Sequence, residues 1–390
     1  MIITCTSILA VDFNVFPRRF AKTESFGTSL MDMGVGSFVF AAGTVAARQQ
    51  LKERFAQSSS FVERVKTAMR HSLPLLALGI IRFWSVKNLD YAEHVSEYGV
   101  HWNFFFTLAL LSPVIAIIQP ILRHIPSYCL LAFAIACCYE IGLYFTPDLK
   151  RYIILAERKE GDWLSQNREG VYSFIGYLAI FIAGMGVGMD ILPRDPGPDA
   201  DKPKVKDVLD EDSEWLASVL GGEAEPKQQV QPEPLPKPEL PKTVLGRLTF
   251  WTGVWFIFSV WAMWRYGPRL FVSRRMANLA YVVWVCAFNC AQLLLFCLVE
   301  HLMFPNLYTA KDKATERQRI RDATSKVMQA FNRNGLALFL LANLLTGAIN
   351  MTIPTLHVGD VEAMLILVAY IATLCGVALA MDHYDVSIKL

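Results

Sequence analysis

Charge is scarce in this chain. Lys, Arg, Asp and Glu make up 18% of its 390 residues, below the roughly 25% usual for soluble domains. Chemical signature motifs are scarce too: there is no Gly-rich phosphate loop, no HExxH helix and no nucleophile elbow. Nothing therefore points to P-loop, zincin or α/β-hydrolase chemistry. The cysteines form no CxxC and no cluster with histidine. Cys5, Cys129, Cys137, Cys138, Cys286, Cys290, Cys297 and Cys375 all sit inside apolar runs, as small buried hydrophobes do. Neither a metal site nor a disulfide framework is expected, and no nucleic-acid partner.

What the chain has instead is apolar length. Hydrophobic residues make up 54%, gathered into runs of the roughly 20 residues that span a bilayer core as a helix. Nine runs stand out, at about 28–47, 71–86, 101–119, 127–146, 171–190, 247–266, 277–299, 334–353 and 361–381. Trp102, Trp251 and Trp264 near run ends fit an interfacial aromatic belt. The expected fold is all-α: a polytopic transmembrane helix bundle of about nine spans plus a partial N-terminal helix. That partial helix is Ile2–Val11, which is apolar but too short to cross. It has no basic n-region and no small-residue cleavage site, so it does not read as a signal peptide. It reads as the last half of a helix, and an N-terminally truncated chain is expected.

Residues 193–243 interrupt the pattern. They hold ten of the nineteen prolines and twelve acids against seven bases, a composition that cannot bury enough apolar surface to fold. The expected organisation is a bundle over 1–192, a disordered cytosolic linker over 193–243, and the C-terminal part of the bundle over 244–390. Within the linker, Val208, Leu209, Trp215, Leu216, Val219 and Leu220 share one helical face, consistent with a short surface helix. Nine spans divide the loops into two sets carrying thirteen and twenty-two bases, or thirteen and fifteen without the linker. Basic excess marks the cytoplasmic face, which places the linker and C-terminus in the cytosol and the loops at 14–27, 87–100 and 147–170 on the opposite side. The polar span residues Asp32, Arg82, Asn103, Glu140 and Asn350 then fall in the non-cytoplasmic half. They suit a shared cavity there, or helix–helix hydrogen bonds taken one by one.

The chemically rich sequence lies on that same side. Asp12, Arg18, Arg19, Lys22 and Glu24 crowd between two apolar segments, where charges are costly unless solvated or used. A carboxylate at an apolar edge serves as a general base, and a nearby cation holds a phosphate or a developing oxyanion. The alternative is a solvated loop whose bases set topology. His101, beside Glu97 and Asn103, is a second candidate base or a structural boundary residue. Asn167, Arg168 and Glu169 are phosphate contacts or an ordinary ion pair, and Arg274-Arg275 read as topogenic. On the cytosolic side, Lys311 to Arg333 places Ile320, Val327, Met328 and Phe331 on one face of a basic helix, the pattern of an anchor on anionic lipid.

Six ordered stretches carry a family resemblance: ILAVDF at Ile8–Phe13, FPRRFAKTE at Phe16–Glu24, GTSLMDMGVGSFVF at Gly27–Phe40, EYGVHWNFFFTL at Glu97–Leu108, NREGVYSFIGYLAIF at Asn167–Phe181 and NRNGLALFLLANLLTGAIN at Asn332–Asn350. With them the chain closely resembles the GPI inositol acyltransferases of eukaryotic GPI-anchor biosynthesis, over nearly its whole length except the linker. The resemblance implies a multi-pass enzyme of the endoplasmic reticulum membrane with a lumenal catalytic face. It would move a fatty acyl chain, such as palmitoyl, from acyl-CoA as co-substrate to the inositol of glucosaminyl-phosphatidylinositol, with no bound cofactor. It also implies about thirteen spans, four of them before Ile2. The family's motif aspartate and lysine fall on Asp12 and Lys22. Arg18, Arg19, Glu24, Asp32, Glu97, His101, Asn103, Asn167, Arg168 and Glu169 become candidate substrate contacts. A polytopic lipid transporter or flippase is the alternative, although the two related halves common in transporters are not evident.

Overall fold

The structure is a computed structural model. It describes residues 2–55, 60–87, 97–122, 124–191, 243–264, 267, 270–307 and 313–387. The linker over 193–242, with its amphipathic stretch, and most of the loop before Glu97 lie outside the described residues.

All regular structure among the described residues is helical. The elements are α1 (Ile2–Ala10), α2 (Leu30–Phe55), α3 (Phe61–Lys87), α4 (Phe104–Leu122), α5 (Tyr128–Phe145), α6 (Leu149–Leu155), α7 (Trp163–Ile191), α8 (Val244–Met263), α9 (Leu279–Met303), α10 (Lys313–Ala323), α11 (Lys326–Arg333), α12 (Gly335–Thr352) and α13 (Asp360–His383). Short 3-10 turns occupy Arg18–Phe20 and Thr355–His357. The expected all-α membrane bundle is what forms.

The expected nine spans are not all matched. Among the described residues, seven helices are long and apolar enough to cross a membrane: α2, α4, α5, α7, α8, α9 and α13. An eighth is made if α11 and α12, bent by 91° at their junction, count as one broken span. The run at 71–86 lies within α3. That helix also carries Glu63, Arg64, Lys66, Arg70, Arg82 and Lys87, and Arg70 and Arg82 fall within its most apolar stretch. The basic segment is likewise not one amphipathic helix. It breaks between α10 and α11, with Phe331 buried and Met328 exposed, so those side chains do not share one face.

The chain forms two compact units. The first comprises Met1–Lys22, Ser29–Gly34 and Cys297–Leu390, so α1 packs with the C-terminal helices. Its core joins Cys5, Leu9 and Phe13 to Phe331, Leu338 and Ala342, and to Leu367, Tyr370 and Leu374. The Tyr370 hydroxyl lies 3.2 Å from the Cys5 carbonyl and 3.1 Å from the Ala342 carbonyl, with the Thr346 hydroxyl at 3.3 Å. A buried phenol needs such partners, and here they tie α1, α12 and α13 together.

The second unit comprises Thr23–Thr28 and Val35–Phe296, and α7 is its centre. Of α7's span, 67% is buried, against 22% for α8. Small residues allow this, because helices without side-chain bulk approach closely and gain contact where lipid offers no hydrophobic drive. A Cβ at Gly43 of α2 would collide with the Phe181 carbonyl of α7, and one at Gly184 with the Phe40 carbonyl. Each helix thus leaves room for the other's backbone.

Candidate functional site

In the first unit the charged segment is built around the end of α1. The Asp12 and Phe13 amides donate to the Leu9 and Ala10 carbonyls at 3.0 and 3.2 Å. The Phe13 ring is fully buried, which fixes the backbone of the half-buried Asp12. Asp12 Oδ2 accepts a hydrogen bond from Asn350 Nδ2 at 2.8 Å. Arg18 folds back over the loop, donating to the Val11 carbonyl and to Asn14 Oδ1, each at 3.1 Å. Asn14 in turn donates to the Leu356 carbonyl in the turn after α12. Arg19 lies over the Phe20 ring at 4.9 Å, and Phe20 packs edge-on against Phe16. Arg18, Arg19 and Lys22 remain exposed. The outcome is a carboxylate of fixed position with three solvent-facing cations in the ten residues that follow it.

Asp32 has a local role in the same unit. Ser29 Oγ accepts from the Asp32 amide at 3.1 Å and donates to Asp32 Oδ2 at 2.9 Å. This is a capping arrangement at the start of α2, where a negative charge also meets the helix dipole favourably. Glu24 is exposed in the second unit, on a segment held by the Gly27 amide, which donates to the Val272 carbonyl at 2.8 Å.

The second unit gathers the remaining candidates at the N-terminal end of α7. Glu169 is fully buried, and its Oε1 accepts from Arg158 and Arg275, each at 2.8 Å. The Arg168 guanidinium is 3.8 Å from the same oxygen. Its own N–H groups go to the carbonyls of Ile153, Ala156 and Glu157. It thereby satisfies carbonyls at and just beyond the C-terminal end of α6, as a cation at a helix end does. Asn167 Oδ1 accepts from the His101 amide at 2.8 Å, and His101 Nε2 pairs with Gln166 Oε1 at 3.1 Å. Asn103 caps α4 through the Phe105 amide at 3.0 Å, and its Nδ2 donates to the Gly79 carbonyl of α3 at 2.9 Å. Glu97 pairs with Arg274 at 3.5 Å. Burial pushes the phenol of neighbouring Tyr98 up, with Arg274 pulling it partly back.

Two partners escaped the sequence reading. Arg158 lies in a loop, and Arg275 belongs to the pair taken as topogenic; both are bonded to Glu169. The signal available was a requirement rather than a pattern: a glutamate entering an apolar helix must be paired.

Comparison with known proteins covers nearly the whole chain. The GWT1 family profile matches residues 1–381. The chain is similar to GPI-anchored wall transfer protein 1 of Gibberella zeae, at 48% identity over 399 residues, covering 100% of this chain and 72% of that protein. The protein of the same name from Aspergillus oryzae is 48% identical, with 100% and 72% covered. That of Saccharomyces cerevisiae is 38% identical, with 100% and 73% covered. Membrane helices, the charged segment after α1 and the paired NREG entrance to α7 all fall within the matched residues, and the chain belongs to the GWT1 family.

Proposed function

We propose that this chain acts in GPI-anchor biosynthesis as a membrane-embedded O-acyltransferase, moving a fatty acyl group from acyl-CoA to an inositol hydroxyl of glucosaminyl-phosphatidylinositol. Asp12 accepts the hydroxyl proton as the inositol oxygen attacks the thioester carbonyl carbon. Lys22 stabilises the negative charge that develops on the carbonyl oxygen. Collapse of the tetrahedral intermediate breaks the carbon–sulfur bond, and the leaving CoA sulfur takes up the proton held by Asp12. Arg18 and Arg19 offer their exposed guanidinium groups to the lipid phosphate. Palmitoyl is the acyl group expected. The reaction belongs in the endoplasmic reticulum membrane, with the segment over 14–27 lumenal and the C-terminus cytosolic.

The observation that carries this reading is the half-buried Asp12 carboxylate, held by Asn350 within a segment of exposed cations. Membership of the GWT1 family and the name of its relatives support the pathway. The test is acyl transfer from labelled palmitoyl-CoA to glucosaminyl-phosphatidylinositol in microsomes, normalised to enzyme amount. Asp12→Asn should lower turnover by about 10²–10⁴-fold and Lys22→Ala by about 10²–10³-fold, with abundance near wild type. Arg18→Ala and Arg19→Ala should mainly raise KM, because a phosphate contact persists from ground state to transition state. Turnover by Asp12→Asn above about a tenth of wild type, well short of the loss expected for a missing base, moves the base elsewhere. Absence of any acylated inositol product from the wild-type protein rejects the enzyme reading.

A further inference from the structure

We infer that Asn350 is a positioning residue that orients the Asp12 carboxylate; the inference rests on the reading of Asp12 as general base. Asp12 has its backbone fixed by α1 and by buried Phe13, which leaves its two side-chain torsions to be set. Among the described residues, the hydrogen bond recorded to this carboxylate comes from Asn350 Nδ2, 2.8 Å from Oδ2. On this reading Oδ1 is the oxygen that takes the hydroxyl proton. One amide donor thus selects which oxygen reacts and where it points.

The backbone that carries the donor is held, while the Asn350 side chain itself is exposed. Asn350 sits in the last turn of α12, which closes with the Ile353 amide donating to the Ile349 carbonyl at 2.8 Å. Leu338, Ala342 and Thr346, at four-residue steps before Asn350 along α12, are buried. The Asn14–Leu356 bond clamps the chain two residues past Asp12 to the turn after α12. One bond thus reaches the carboxylate from α12, and a second ties the chain just past it to the following turn. Reactions held to near-attack geometry lose about 10²-fold when a reacting group shifts by about 1 Å, so a lone donor on a base matters to rate without touching substrate.

A plain inter-helix hydrogen bond would also place an asparagine here, and kinetics separate the two roles. Asn350→Leu keeps the volume and removes the donor, Asn350→Asp keeps the shape and removes the donor, and Asn350→Gln keeps an amide. Acyl transfer is measured for each, alongside Asp12→Asn, with enzyme amount quantified. The expected result is a kcat lowered about tenfold or more in Asn350→Leu and Asn350→Asp. KM for both substrates should stay near wild type, and Asn350→Gln should recover part of the loss. If one of the two donor-less variants accumulates poorly, the other carries the measurement. A kcat per enzyme within about twofold of wild type in both, with or without reduced abundance, overturns the positioning role. If Asp12→Asn is inactive while the Asn350 variants keep full kcat, positioning fails and the base reading stands. If Asp12→Asn is active, both fall together.

Discussion

At the residue scale the heaviest single dependence is on Glu169. One of its two oxygens, Oε1, takes both Arg158 and Arg275, and the residue has no exposure. Breaking a buried pair from one side leaves uncompensated charge and costs about 3–5 kcal/mol. Glu169→Gln should therefore lower the melting temperature and abundance of the protein in detergent, with activity lost in proportion to amount. Asp12→Asn should do the opposite, losing turnover per molecule while melting like wild type. A Glu169→Gln protein that melts normally would show that the arginines find solvent or lipid instead. The sequence left Arg168-Glu169 between two readings because the deciding partner, Arg275, is 106 residues away. Residue types mark a buried carboxylate as needing a cation, but only the fold says which one.

At the scale of elements, the α2–α7 crossing depends on missing side chains. Gly184→Val puts atoms where the Phe40 carbonyl already sits, and overpacking of this kind costs about 1–3 kcal/mol. Gly253 of α8 has open space where a Cβ would go. Gly253→Ala should instead be neutral or stabilise by up to about 1 kcal/mol, through helix propensity alone. Thermal unfolding of the two variants side by side checks both signs. Most helices were legible as apolar runs because their length comes from the bilayer. Two features were not. The run at 71–86 was counted without the charged first half of α3, and the basic stretch after Lys311 was read on one continuous helical wheel. A wheel cannot register the break between α10 and α11, where Ser325 precedes a new helix and Phe331 turns into the core.

For the whole molecule, α3 decides sidedness. At 27 residues it is about 40 Å long, enough to cross even with its first two turns outside the hydrocarbon. Counting α3 as a span, glycosylation acceptors inserted near residue 58 should stay unmodified and those near residue 92 should be modified. Acceptors in 193–243 should also stay unmodified. Equal modification on both sides of α3 would take it out of the membrane and exchange the faces assigned to every later loop. The packing of α1 against α12 and α13 in the first unit has a separate consequence, for the order of events during synthesis. The donor to Asp12 is 338 residues downstream, and the α1 carbonyl that meets Tyr370 waits 365 residues for it. At about 5–20 residues per second, the segment bearing Asp12 is out of the ribosome for roughly 20–70 seconds before its supports exist. The proposed base is thus among the last parts of the protein to be assembled, and a nascent chain stopped short of Asn350 would hold its catalytic sequence without a catalytic shape.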